Sequence, residues 1–154
     1  TPVAPRLPPM NNPRKILLID DEPLIGQLIG MLVAKFRGES FMLEHVVDYA
    51  EGLQRLLGGS YALCLLDYHL GSGDGLQLLR EAKARSCPTP IILLTGDARE
   101  ETDLAAMDGG AADFITKGEL KPDTFERAVD YAIKTADALN QLRAKQKVPA
   151  PGQP

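Results

Sequence analysis

Positions 17–23 read LLIDDEP, so three carboxylates, Asp20, Asp21 and Glu22, crowd onto the end of an apolar run and are followed by a proline. Other chemistry-bearing residues also sit at the ends of apolar runs: Asp67 after LCLL, Thr95 closing IILLT, and Lys117 after DFIT. Two readings suit LLIDDEP. It is a good helix start, with Asp21 as cap and Glu22 and Pro23 in the first turn. It is also a good half of a cation site, if Asp67 is brought to it. Three carboxylates in mutual contact, at about 4 kcal/mol per pair 4 Å apart and an effective dielectric near 20, cost on the order of 10 kcal/mol. That matches the stability of a whole domain. Such a cluster needs positive charge: Lys117 supplies one unit and a divalent cation two. Carboxylate and carbonyl oxygens with room for water suit magnesium. A metal-bound carboxylate facing a lysine and a hydroxyl has the parts for a phosphorylated aspartate, in which one carboxylate attacks phosphorus and the rest hold its oxygens. Asp67, alone after a central strand, is the natural nucleophile; Asp20 and Asp21 form a pair suited to metal.

The elements that must bring these residues together are legible as alternation. Short apolar runs at 15–19, 41–46, 61–66, 90–95 and 113–116 are strand candidates, and segments of helical period at about 22–36, 48–57, 75–85, 98–108 and 122–143 lie between and after them. In the first helix Leu24, Ile25, Leu28, Ile29, Leu32, Val33 and Phe36 recur at helical spacing, with Gly38 as a stop. The alternation predicts an α/β domain with a doubly wound, five-stranded parallel sheet. Right-handed crossovers put the carboxyl ends of all parallel strands on one edge, where ligands bind. With strand order 2-1-3-4-5, as in flavodoxin-like (βα)5 folds, the first and third strands are neighbours and their acids converge.

The motifs IDDE, LLDYHL with DG shortly after, LLTG and GAADFITK, each at a strand end, resemble the receiver domains of two-component response regulators over about residues 14–134. The resemblance implies that Asp67 is the phosphoacceptor, Asp21 a direct Mg2+ ligand, Asp20 a mostly water-mediated one, and the backbone carbonyl of His69 a further ligand. It also implies that Thr95 is the switch hydroxyl, Lys117 the phosphoryl-binding lysine and Phe114, three residues earlier, the switch aromatic. The donor would be a histidine kinase or histidine phosphotransfer protein, and the chain a signalling module rather than an enzyme. On phosphorylation Thr95 is drawn in and Phe114 turns inward, altering the surface of the fourth helix, fifth strand and fifth helix. His69 and Asp97, two residues past Asp67 and Thr95, are expected to tune hydrolysis of the phosphoryl group. Gly118 stands where the family usually has proline, and this loop is expected to be looser. DFITKGEL followed by FERAVDYAI is also similar to receivers joined to kinase, sensor or cyclase modules, so excision from a larger hybrid protein is the alternative. A haloacid-dehalogenase-type phosphatase shares the aspartyl nucleophile and magnesium, but its DxD pattern needs an acid where His69 stands. A module that binds partners without phosphorylation is a third reading, which nothing in the sequence favours.

Composition bounds the rest. With 154 residues, 44% hydrophobic and 25% charged, the chain suits one soluble domain with a real core. The expected organisation is a disordered leader over 1–13, with five prolines, a receiver domain over 14–134, an extension of the last helix over 135–147 and a disordered tail over 148–154. A net charge of −4, with 17 basic residues in no strong run, argues against direct nucleic-acid binding. Cys64 and Cys87 have neither metal-site spacing nor disulfide density, which fits a reducing cytoplasm. No apolar stretch approaches the roughly 20 residues of a membrane span. In the last helix Phe125, Ala128, Val129, Ala132 and Ile133 suffice for the core. Helical composition nevertheless runs on through Ala136, Leu139 and Leu142 to about Lys147, as a homodimer contact or a stalk.

Overall fold

The computed structural model describes residues 13–71, 73–96 and 109–147, with side chains as far as 145. The helix expected at 98–108, Asp97 and the two chain ends fall outside the described residues. The elements are β1 (Arg14–Ile19), α1 (Pro23–Ala34), β2 (Phe41–Val46), α2 (Tyr49–Gly58), β3 (Leu63–Asp67), α3 (Gly75–Ala84), β4 (Ile91–Thr95), β5 (Asp113–Thr116) and a C-terminal helix, Pro122–Lys147. A short antiparallel ribbon pairs His69–Leu70 with Gly73–Asp74, and Lys117–Glu119 forms a 3-10 turn. The sheet is five-stranded and parallel in the order β2-β1-β3-β4-β5, the doubly wound topology expected from the alternation.

Successive strand side chains point to opposite faces, so each apolar run feeds two cores at once. Leu17, Ile19, Cys64, Leu66 and Leu93 pack with Leu56, Leu78 and Leu79 beneath α2 and α3. Ile16, Leu18, Leu63, Leu65, Ile92 and Leu94 pack with Ile29, Phe125, Val129 and Ile133 beneath α1 and the C-terminal helix. Both faces being covered, β1, β3 and β4 carry unbroken buried runs.

Two details differ from the periodicity reading. β3 starts at Leu63 and runs through Asp67, because the ladder to β4 continues as far as the pair Asp67↔Leu94. Asp67 is therefore the last rung of the sheet rather than the first loop residue, and its backbone is fixed. Leu24 stands about 140° around α1 from the buried Ile29, and it is 75% exposed.

The C-terminal helix is tied to the start of β1 by Arg14, which pairs with Glu39 at 2.9 Å and with Asp137 at 3.2 Å. Past its last buried residue, Ile133, it continues with Leu139 and Leu142 exposed. Among the described residues, no helix is long and apolar enough to cross a membrane.

Candidate functional site

The site lies at the carboxyl edge of β1, β3 and β4. Asp20 continues the β1–β2 ladder by one step, its N–H donating to the Val46 carbonyl at 3.0 Å. Its Oδ1 accepts the N–H of Glu22 at 2.8 Å, an Asx-type turn that feeds α1. Glu22 is the N-cap residue, yet its carboxylate makes no cap hydrogen bond and turns to Lys117 instead; Pro23 begins the helix. Asp20 is fully buried. Its Oδ2 faces Lys117 Nζ at 3.1 Å and has no hydrogen-bond partner among the described residues.

Asp67 is 5% exposed. Its Oδ1 accepts the N–H of His69 at 3.2 Å and lies 3.2 Å from Lys117 Nζ. Behind it, the start of α3 comes so close that a Cβ on Gly75 would be 2.0 Å from the Asp67 carbonyl oxygen. Gly75 is thus required by contact: its N–H bonds the Tyr68 carbonyl at 3.0 Å while Asp74 caps the helix through the Leu76 N–H. That is the physical content of the DG pair after LLDYHL.

Lys117 arrives from the far edge because β4 and β5 are in register at Thr95↔Thr116, and the 3-10 turn begins at the next residue. Gly118 within this turn has open space around its α-carbon and does not use left-handed backbone. The Lys117 ammonium meets Glu22, Asp20 and Asp67. Carboxylate oxygens of those three acids lie within 4.8 Å of one another.

One cation therefore faces three anions, and the titration of the group reflects it. Burial, then the charge of Asp20, pushes the Asp67 carboxyl up from 3.8 to about 6, against the pull of Lys117 and the His69 N–H. Burial also raises Asp20, opposed by the Glu22 N–H and by Lys117. Burial would lower Lys117, but Glu22, Asp20 and Asp67 outweigh it and hold the ammonium charged. Among the described residues the pocket holds three carboxylates to one ammonium, and the buried Oδ2 of Asp20 is ion-paired to Lys117 without a hydrogen bond. Hard oxygen donors in such a deficit fit a small divalent cation such as Mg2+.

The other expected residues are distributed as follows. Asp21 is exposed at the rim, its Oδ2 accepting the Gly71 N–H at 2.8 Å, outside the Asp20, Glu22 and Asp67 group. Thr95 is fully buried at the end of β4 and its hydroxyl donates to the Ile115 carbonyl at 3.5 Å. Phe114 is half-buried against the core beneath α2 and α3. His69 is exposed, its ring edge-on to Tyr68 with centroids 4.9 Å apart. Two participants escaped the sequence reading. Glu22 was legible only as a helix start, although it directly follows the acidic pair. His45, whose Nε2 lies 2.7 Å from the Asp20 carbonyl oxygen, had one signal: its register opposite Leu18 on the neighbouring strand.

Comparison with known proteins places this geometry in context. Residues 16–130 match the family model described as the response regulator receiver domain. The transcriptional regulatory protein DltR of Streptococcus agalactiae is 33% identical over 103 residues, covering 67% of this chain and 45% of that protein. The chain spans half or less of the length of the curated relatives it matches. A CheY-like response regulator receiver domain protein from Methanospirillum hungatei superposes with a TM-score of 0.72 at 23% identity, over 82% of this chain and 98% of that one. A receiver domain protein from Clostridium thermocellum does so with a TM-score of 0.70 at 27% identity, over 82% and 98%.

Proposed function

Because the chain belongs to the response regulator receiver domain family, we propose that it accepts a phosphoryl group on Asp67 from a histidine kinase or histidine phosphotransfer protein. The observation that carries this reading is the Lys117 ammonium held 3.1 Å from Asp20 and 3.2 Å from Asp67 at the end of β3. In the reaction an Asp67 carboxylate oxygen forms the new bond to phosphorus as the bond from phosphorus to the donor breaks, its electron pair leaving with the donor. Lys117 binds a phosphoryl oxygen, exchanging part of its contact with Asp67 for the new anion. Thr95 turns its hydroxyl from the Ile115 carbonyl to a second phosphoryl oxygen, and Phe114 moves inward behind it. The face formed by β5 and the C-terminal helix, together with the helix expected at 98–108, then carries the signal.

The residues to hold Mg2+ are Asp20, Asp21, Asp67 and the backbone carbonyl of His69, with Glu22 alongside. Bound Mg2+ supplies positive charge that offsets the phosphoryl oxygens. A cytoplasmic location suits the two free cysteines, Cys64 and Cys87. The receiver domain is taken as 14–134, and the exposed Leu139 and Leu142 beyond it support a homodimer contact. The same overhang, with the partial coverage of the relatives, supports a second reading in which this receiver is one module of a longer hybrid kinase or cyclase protein.

The test is intact mass after incubation with Mg2+ and acetyl phosphate. Transient gain of one phosphoryl group by wild type, and none by Asp67→Asn, is the expected result. No adduct with any donor would point to a phosphorylation-independent module, and rapid turnover of varied phosphomonoesters to a phosphatase.

A further inference from the structure

Asp20 is held from β2 on both sides of its α-carbon. Its N–H donates to the Val46 carbonyl at 3.0 Å, and its own carbonyl oxygen lies 2.7 Å from Nε2 of His45, the residue preceding Val46. A carbonyl oxygen only accepts, so the ring donates and Nε2 carries the proton. The ring fits because α1 has a glycine opposite it: a Cβ on Gly26 would lie 2.4 Å from Nδ1 and 2.5 Å from Cε1 of His45. His45 and Gly26 are thus a matched pair, one side chain filling the space that the other leaves. The peptide they hold joins Asp20 to Asp21, and the Asp20 carboxylate beyond it is buried, contacts Lys117 and carries one oxygen with no hydrogen bond among the described residues.

We propose that His45, seated on Gly26, is a positioning residue for the cation site: it clamps the Asp20 carbonyl and so aims the Asp20–Asp21 pair. This rests on the reading of that pair as Mg2+ ligands. Removing partners that orient metal ligands typically costs 10- to 100-fold in affinity. His45 acts through a backbone carbonyl, so the lower end, about tenfold, is expected.

The test is the Mg2+ dissociation constant by titration calorimetry on the unphosphorylated full chain, beside the melting temperature in chelator. His45→Leu removes the donor and keeps the bulk; Mg2+ affinity is expected to fall about tenfold. His45→Gln, whose amide nitrogen stands near the Nε2 position, is expected to restore most of it. Gly26→Ala pushes the exposed ring off its seat while improving helix propensity. Mg2+ affinity should then fall as in His45→Leu with the melting temperature unchanged or raised, a combination that general loosening does not produce. In His45→Leu/Gly26→Ala the losses should not add, since both break one contact. Wild-type affinity in both single variants overturns the proposal, as does a His45→Gln variant no better than His45→Leu. Failure of wild type to bind Mg2+ overturns the underlying reading of the site instead.

Discussion

Neutralising Asp67 should stabilise the metal-free protein at neutral pH. Its carboxyl titrates near 6 in the fold against an ordinary 3.8, chiefly through burial and secondly through the charge of Asp20. A carboxyl with a raised folded pKa binds its proton more tightly folded than unfolded. Stability therefore falls as pH rises from about 3.8 to about 6, and the cost stays above that window. The difference corresponds to about 3 kcal/mol once Asp67 is fully ionised. Asp67→Asn keeps the shape and removes the charge. In chelator, urea unfolding followed by circular dichroism should show the variant up to about 3 kcal/mol more stable at neutral pH, with the advantage shrinking through pH 6 to 4 and vanishing at lower pH. Mg2+ at about 1,000 times its dissociation constant should reverse the order, because that adds about 4.1 kcal/mol to the form that binds it, more than the variant's advantage of about 3 kcal/mol. If the variant is less stable than wild type at neutral pH in chelator, or its advantage does not depend on pH, the picture of an anion-crowded pocket at the end of β3 is wrong.

Two further substitutions probe the same corner. Gly75→Ala places a Cβ where it would lie 2.0 Å from the Asp67 carbonyl oxygen, a backbone clash expected to cost about 3 kcal/mol or to displace α3; urea unfolding of the variant measures it, and a neutral outcome would mean that α3 does not press on Asp67. Lys117→Met leaves the buried Asp20 and Asp67 without the cation beside them, and a loss of about 3–5 kcal/mol is expected at neutral pH; the same assay at pH 4, below the raised titration of Asp67 near 6, should return part of it.

How much of this was legible follows from what sequence patterns encode. The runs ILLI, LCLL and IILL are apolar at every position, as a strand covered on both faces allows. They gave the layers, the parallel sheet and the edge at which Asp20, Asp67 and Lys117 meet. Strand ends fix where an α-carbon lies, but not where its side chain points. Asp21 and Glu22 exchange prominence for that reason: Glu22 reaches Lys117, 95 positions away, while Asp21 is drawn to the Gly71 N–H at the rim. The choice depends on how the Lys117 turn and the ribbon after Asp67 settle in space, which no local pattern states. The seat of His45 on Gly26 was hidden for a similar reason, since it depends on the angle at which α1 crosses β2. Leu24 was misplaced because a helix of twelve residues with an apolar residue at most positions does not reveal its buried stripe by periodicity alone.

The assignment of Asp67 as the phosphoacceptor is tested most directly by locating the phosphoryl group. Wild-type protein is phosphorylated with acetyl phosphate and Mg2+, reduced with borohydride, which converts an aspartyl phosphate to homoserine, and mapped by peptide mass spectrometry. Homoserine at position 67, dependent on the phosphodonor and on Mg2+ and confined to that position, is the expected result. Homoserine at another aspartate, or none at position 67 while the intact protein gains a phosphoryl group, would contradict it.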